Sequence, residues 1–170
     1  MLLKGSCHCR AVRFSVESHQ PVPFMRCYCS ICRKTSGSGG FAINLGADYQ
    51  TMKVQGREHL GVYRAKLRNG RRSQGQRHFC KECGSPLWLW DPRWPELVHP
   101  QAGAIDTPLP VPPEHVQLMT RYKPDWVPDV KVRGPRYPEY PPLSIAEWHE
   151  RHGLTGGARR RRPTRTRRSA

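Results

Sequence analysis

The sequence predicts a mainly β domain with few helices, and three observations lead there. Short runs alternate apolar and polar residues with the two-residue period of a half-buried strand. Seventeen prolines among 170 residues interrupt any longer regular element. One segment alone, SIAEWHERHG, carries both a helix start and a helix stop.

From the N-terminus, Gly5 and Ser6 lead into Cys7-His8-Cys9. Val12, Phe14 and Val16 then alternate with Arg13, Ser15 and Glu17, a strand that Pro21 and Pro23 close off. In RCYCSICRKTSGSGG, Ser30 is placed to cap a short helical turn beginning at Ile31, and the run from Gly37 to Gly40 ends it. FAINLG reads as a strand, and MKVQG with HLGVYRA as a strand pair turning at Gly56. Asn69-Gly70 marks a hairpin, because both residues accept the positive φ of a tight turn. QRHFC returns as a strand into the knuckle Cys80-Lys-Glu-Cys83-Gly84, and LWLW is a further strand closed by Pro92 and Pro95. Prolines are dense between 100 and 142, with short extended pieces such as HVQLMT, so this stretch wraps the domain without adding a layer. In SIAEWHERHG, Ser144 and Glu147 form a capping box and Gly153 stops the helix. Residues 1–153 therefore read as one domain and residues 154–170 as a disordered arginine-rich tail.

At 36% hydrophobic residues the chain is lean, so metals or cross-links are expected to supplement its core. No apolar run reaches the length of a signal peptide or a membrane span, which predicts a cytoplasmic protein without membrane contact. In that reducing setting clustered cysteines serve as metal ligands or catalysts more often than as disulfides, and their odd number, seven, agrees. Net charge is +16, but the last sixteen residues carry seven arginines and no acid. A second basic stretch, RAKLRNGRRSQGQR, runs over residues 64–77.

The cysteines fall into three groups: Cys7 and Cys9; Cys27, Cys29 and Cys32; Cys80 and Cys83. Thiolates two or three residues apart reach one metal from a single tight turn, and zinc takes four such ligands tetrahedrally in closed structural sites. Seven divides into four plus three, and a three-thiolate site leaves a position open. Spacing alone does not determine which groups combine. The triplet is self-sufficient on one turn, which favours a closed site shared by the two pairs. An iron–sulfur cluster has the right ligand type but lacks a fourth cysteine beside the triplet. His8 lies between two candidate ligands, as a spacer or as a ligand itself.

GSCHCRAVRF, CYCSICRKTSGS and RHFCKECGSPL resemble three blocks of the glutathione-dependent formaldehyde-activating enzyme family, shared with centromere protein V. The resemblance spans about residues 3–122, including GAIDTP and the PEHV and YKPDW segments, with residues 123–153 as a C-terminal extension. It implies small curled antiparallel sheets pinned by zinc, often described as tent-like, with two zinc ions per chain. Cys7, Cys9, Cys80 and Cys83 would hold a structural zinc, and Cys27, Cys29 and Cys32 a catalytic one. The family's reaction joins glutathione to formaldehyde and is classed with carbon–sulfur lyases. Two positions depart from the family pattern: Arg10 replaces a usual glycine, and Tyr28 a common histidine.

On this reading a substrate thiol reaches the triplet beside Ser30 and the Ser36 to Gly40 loop, and attacks a small carbonyl compound held alongside. Arg33 and Lys34 are candidates for attracting an anionic thiol such as glutathione, or for offsetting thiolate charge. Ser38 and Phe41 are further candidate substrate contacts, and Phe41, Trp88 and Trp90 line a pocket or fill the core. No general base is evident; His8 and His78 lie nearest the ligands in sequence. The competing class is a non-catalytic, zinc-stapled binding module whose basic tail makes weak, salt-dependent contacts with nucleic acid. No aromatic residues interleave with that tail, and no helix resembles a base reader. A deaminase is excluded because its H-x-E and P-C-x-x-C pair is missing.

Overall fold

Apolar stripes in this chain are rarely longer than five residues, and the strands they make are correspondingly short. The computed structural model describes residues 1–129 and 131–155; the arginine-rich tail from residue 156 onwards lies outside them. In chain order the elements are β1 (Leu2–Ser6), β2 (Arg13–Glu17), β3 (Phe24–Cys27), α1 (Ser30–Ser36), β4 (Ala42–Asn44), β5 (Ala47–Asp48) and β6 (Lys53–Gln55). They continue with β7 (Leu60–Tyr63), β8 (Gln76–Cys80), β9 (Pro86–Trp90), β10 (Leu97–Pro100), β11 (His115–Leu118) and α2 (Ile145–Arg151). The result is mainly β, as the sequence predicts.

Three open sheets form, in the orders β1-β2-β6, β5-β10-β9-β8-β7 and β11-β3-β4. Their pairings are antiparallel except for β11 with β3, which run parallel with Leu118 opposite Cys27. In the first sheet Leu3 faces Val16 and Gly5 faces Phe14, so one face turns inward. That face meets Leu87, Trp88 and Val98 of the second sheet in the main core, which also holds Cys7 and Cys80. Cys27 and Cys32 sit in a separate small cluster with Ala42, Leu118 and Met119.

The alternating strand, the QRHFC and LWLW strands and the Asn69-Gly70 hairpin form where the sequence places them. The strand pair turning at Gly56 does not. β6 joins β2 and β7 joins β8, each in a different sheet. Gly56, at φ 72°, sends the chain from one sheet to the other, and a Cβ there would fall 1.9 Å from the Ala11 carbonyl oxygen. The short helical turn is α1, but its cap is Cys29: that sulfur, and not the Ser30 hydroxyl, accepts from the Cys32 N–H. α2 has both hydrogen bonds of the Ser144–Glu147 capping box. Among the described residues no helix is long and apolar enough to cross a membrane.

Candidate metal centres

Strand ends deliver the cysteines. Cys7 follows directly on β1, and the tight turn after it brings Cys9 back. Cys80 ends β8, and the knuckle before β9 carries Cys83. The four sulfurs lie within 4.8 Å of one another. Cys9 Sγ stands 3.5 Å from Cys7 Sγ and 3.7 Å from Cys80 Sγ. Four thiolates about 2.3 Å from one zinc ion sit roughly 3.8 Å apart in a tetrahedron, so the set fits the ion. The Val12 N–H donates to Cys7 Sγ at 3.2 Å. The Ser85 hydroxyl lies 3.2 Å from Cys83 Sγ. That hydroxyl first, then the Cys9 and Ser85 amides, hold the Cys83 thiol down to about 5. Arg10 occupies the left-handed region at φ 61°, which explains why glycine suits this turn. The His8 imidazole is not part of the group; only its backbone N–H is engaged, by Ser85 Oγ.

The second group is Cys27 at the end of β3, Cys29 at the cap of α1 and Cys32 on its first turn, again within 4.8 Å of one another. Two are buried and Cys29 is half-buried. The neighbouring thiols of Cys27, then Cys32, with the Cys32 and Ile31 amides, hold the Cys29 thiol far below its ordinary range. The same thiol contacts, with burial, push Cys27 up. All seven cysteines are free. A set of three soft sulfur donors, without a carboxylate or imidazole among them, suits zinc.

Arg77 lies beside the triplet: its Nη2 is 4.0 Å from Cys32 Sγ. It was hidden within the basic stretch over residues 64–77, and only strand β8 turns it inward. Arg33, on α1, is half-buried with its Nε unpartnered, whereas Lys34 is exposed. Two adjoining cavities lie beside α1. One of about 320 Å³ is lined by Thr35, Ser36, Tyr63, Arg77, His78 and Trp88 among others. The other, of about 580 Å³, is lined by Ser38, Phe41, Cys7 and His8 among others. Ser36, Pro86 and Gln101 belong to both. No triplet cysteine lines either; this cleft reaches the triplet through Arg77 and α1. Ser38 and Phe41 thus stand on the cleft, and Lys34 does not.

Trp88 is both core and cavity wall. Trp90 lines neither cavity; it stacks on Tyr49 with centroids 5.1 Å apart. His78 stacks on Trp88 at 4.8 Å, and burial lowers its imidazole to about 4. Tyr28 is buried, its hydroxyl donating to Gln117 Oε1 at 3.1 Å. It has become a core residue where a histidine would present a ring nitrogen.

Two thiol clusters able to hold a metal ion, set among small open sheets with a cleft lined by Cys7 of one and by Arg77 beside the other, define the class: a β domain built on paired cysteine clusters. Within that class the chain belongs to the glutathione-dependent formaldehyde-activating enzyme family, whose sequence pattern matches residues 2–121. It is 58% identical over 158 residues to a Halomonas elongata protein provisionally named a glutathione-dependent formaldehyde-activating enzyme, covering 92% of this chain and all of that one. It also resembles the crystal structure of a Rhodobacter sphaeroides protein, with a TM-score of 0.51 and 29% identity over 63% of this chain and 91% of that one.

Proposed function

We propose that the protein is a zinc enzyme that makes or breaks a carbon–sulfur bond between a thiol of the glutathione type and a small aldehyde such as formaldehyde. The observation that carries this reading is the sorting of seven free thiols into a set of four and a set of three. In the forward direction the thiol sulfur bonds to the carbonyl carbon, the C=O π bond opens, and the thiol proton ends on the oxygen. The reverse is a carbon–sulfur lyase step. Cys27, Cys29 and Cys32 would hold one zinc, which when bound lowers the proton affinity of a thiol that joins it. Cys7, Cys9, Cys80 and Cys83 would hold a second, stapling the end of β1 to the β8–β9 knuckle. Arg77 offsets the thiolate charge beside Cys32. Arg33, half-buried on α1, supplies positive charge for a carboxylate of a thiol such as glutathione, while Lys34, exposed and off the cleft, adds only to the long-range field. Ser38 and Phe41 form part of the cleft wall. Free thiols in two clusters persist in a reducing compartment, which supports a cytoplasmic setting. The nucleic-acid reading gains nothing from the residues 64–77: they fold as a hairpin arm whose last arginine, Arg77, turns inward.

The test is metal analysis joined to turnover. Purified protein is expected to carry two zinc per chain, falling towards one in Cys29→Ser, and to convert glutathione and formaldehyde only when both sites are loaded. Iron in place of zinc, or equal turnover in Cys29→Ser, would sink the reading.

A further inference from the structure

Beyond the family-matched residues, the chain returns to the three-cysteine cluster. Residues 133–139 run alongside β11: the His115 and Gln117 N–H groups donate to the carbonyls of Arg133 and Pro135, at 2.8 and 2.9 Å. The Met119 N–H then donates to the Glu139 carbonyl at 3.0 Å. Met119 packs with Cys27 and Cys32, so the next residue, Tyr140, is delivered to the triplet. Burial raises its phenol above the ordinary value; Arg93 works against that shift, and the sulfurs of Cys27, Cys29 and Cys32 add to it. The residue as a whole is 59% exposed, which leaves it accessible to a ligand.

A second contact reaches Tyr140 from the end of β9. Asp91 is buried and grips Arg93 through two hydrogen bonds, Nε to Oδ1 at 3.0 Å and Nη2 to Oδ2 at 2.7 Å. The Arg93 guanidinium lies 4.6 Å over the Trp94 ring, and Trp94 meets Tyr140 edge-on at 6.5 Å. Asp91 first, and Tyr140 after it, raise the Arg93 guanidinium above its ordinary value. A guanidinium has donors only, so a phenol oxygen beside one serves as the acceptor and keeps its own O–H for another partner. The neighbouring thiolates repel negative charge, so an oxygen gaining charge near them needs such a donor.

We propose that Tyr140 is the hydrogen-bond donor to the substrate oxygen at the three-cysteine site, with Asp91 and Arg93 as the positioning residues that hold it. This rests on the reading above, in which the adduct carries one oxygen on the carbon joined to sulfur. It assigns a role to a segment outside the family-matched stretch, and to a residue whose place beside the triplet is set by backbone pairing with β11.

The experiment compares zinc-loaded wild type with Tyr140→Phe, which keeps the ring and its Trp94 contact. Calorimetry measures the affinities of S-(2-hydroxyethyl)glutathione and S-propylglutathione, which differ in the hydroxyl group. The wild type is expected to prefer the hydroxylated probe by about tenfold. Tyr140→Phe should erase that preference while leaving the S-propyl affinity and the zinc content unchanged. Its kcat for glutathione and formaldehyde should fall roughly a hundredfold with KM little altered. Arg93→Lys, which keeps charge but loses the two-pronged grip, should show a smaller loss of the same kind. Equal affinity for the two probes in a wild type that turns over overturns the proposal. So does a preference that survives in Tyr140→Phe, or a variant that weakens both probes alike. A wild type that binds neither probe and shows no turnover overturns the functional reading itself, and the Tyr140 proposal with it.

Discussion

Arg10 adopts a left-handed backbone angle that costs a residue with a Cβ about 1–2 kcal/mol and glycine nothing of that kind. Its N–H closes the turn onto the Cys7 carbonyl at 2.9 Å, so the angle belongs to the four-cysteine knuckle itself. Arg10→Gly is expected to raise stability by up to about 1 kcal/mol, since part of the relief is lost to glycine's greater freedom in the unfolded chain. Denaturant midpoints with zinc retained check this, and a fall in stability would count against the turn strain. The departure from glycine was visible in the sequence, but its consequence needed φ. Arg77 shows the opposite limit. A charge run says nothing about which arginine faces inward, because that depends on how β8 sits between its neighbours.

Among the elements, α1 and α2 were both legible, for the same reason: caps act over three or four residues. The structure moved the α1 cap from Ser30 to Cys29, so one sulfur terminates a helix and belongs to a cluster. Serine is a good cap, so Cys29→Ser changes the donor set while sparing the helix start. α2 clamps the third sheet: Trp148 packs on Val22 and Val116, and its Nε1 donates to Glu114 Oε1 at 2.8 Å. Ser144→Ala removes the capping box and is expected to cost about 1 kcal/mol. Urea titration of the zinc-loaded protein reads it, and no change would mean α2 contributes little to the cooperative fold. β6 and β7 were legible as strands but not in their pairing, since an apolar alternation suits any sheet edge that offers a matching face.

For the molecule as a whole, thin sheets and small cores leave several polar groups close to the interior. His99 on β10 has its Nδ1 3.0 Å from the Leu45 carbonyl oxygen, joining the second sheet to the chain just before β5. Desolvation pushes its imidazole below the usual value of 6.5, more than that carbonyl and Asp91 pull it up. The unfolded chain therefore takes the proton first. The contribution of His99 is present above pH 6.5 and is lost as the pH falls below it. Stability should drop on acidification with a slope of at most about 1.4 kcal/mol per pH unit from this group. His99→Gln should flatten that part of the profile between pH 6.5 and 5, measured by urea unfolding at fixed zinc. An unchanged slope would mean the imidazole is not shielded. Thiolate protonation also loosens metal over acid pH, and the difference between the two profiles separates the effects.

By itself the sequence determined the β class, the hairpin at Asn69-Gly70, the α2 cap and the grouping of cysteines into pairs and a triplet. Each of these rests on interactions between residues a few positions apart, where geometry is nearly forced. The tertiary structure alone decided that Cys7 and Cys9 meet Cys80 and Cys83 across some seventy residues, a pairing the spacing left open. It also decided that β11 joins β3 in parallel, that Arg77 faces Cys32, and that Glu139 pairs with Met119, which packs on the triplet. Those outcomes depend on which of many similar apolar faces pair at long range. Such a choice is a small difference between large burial and entropy terms summed over the whole chain.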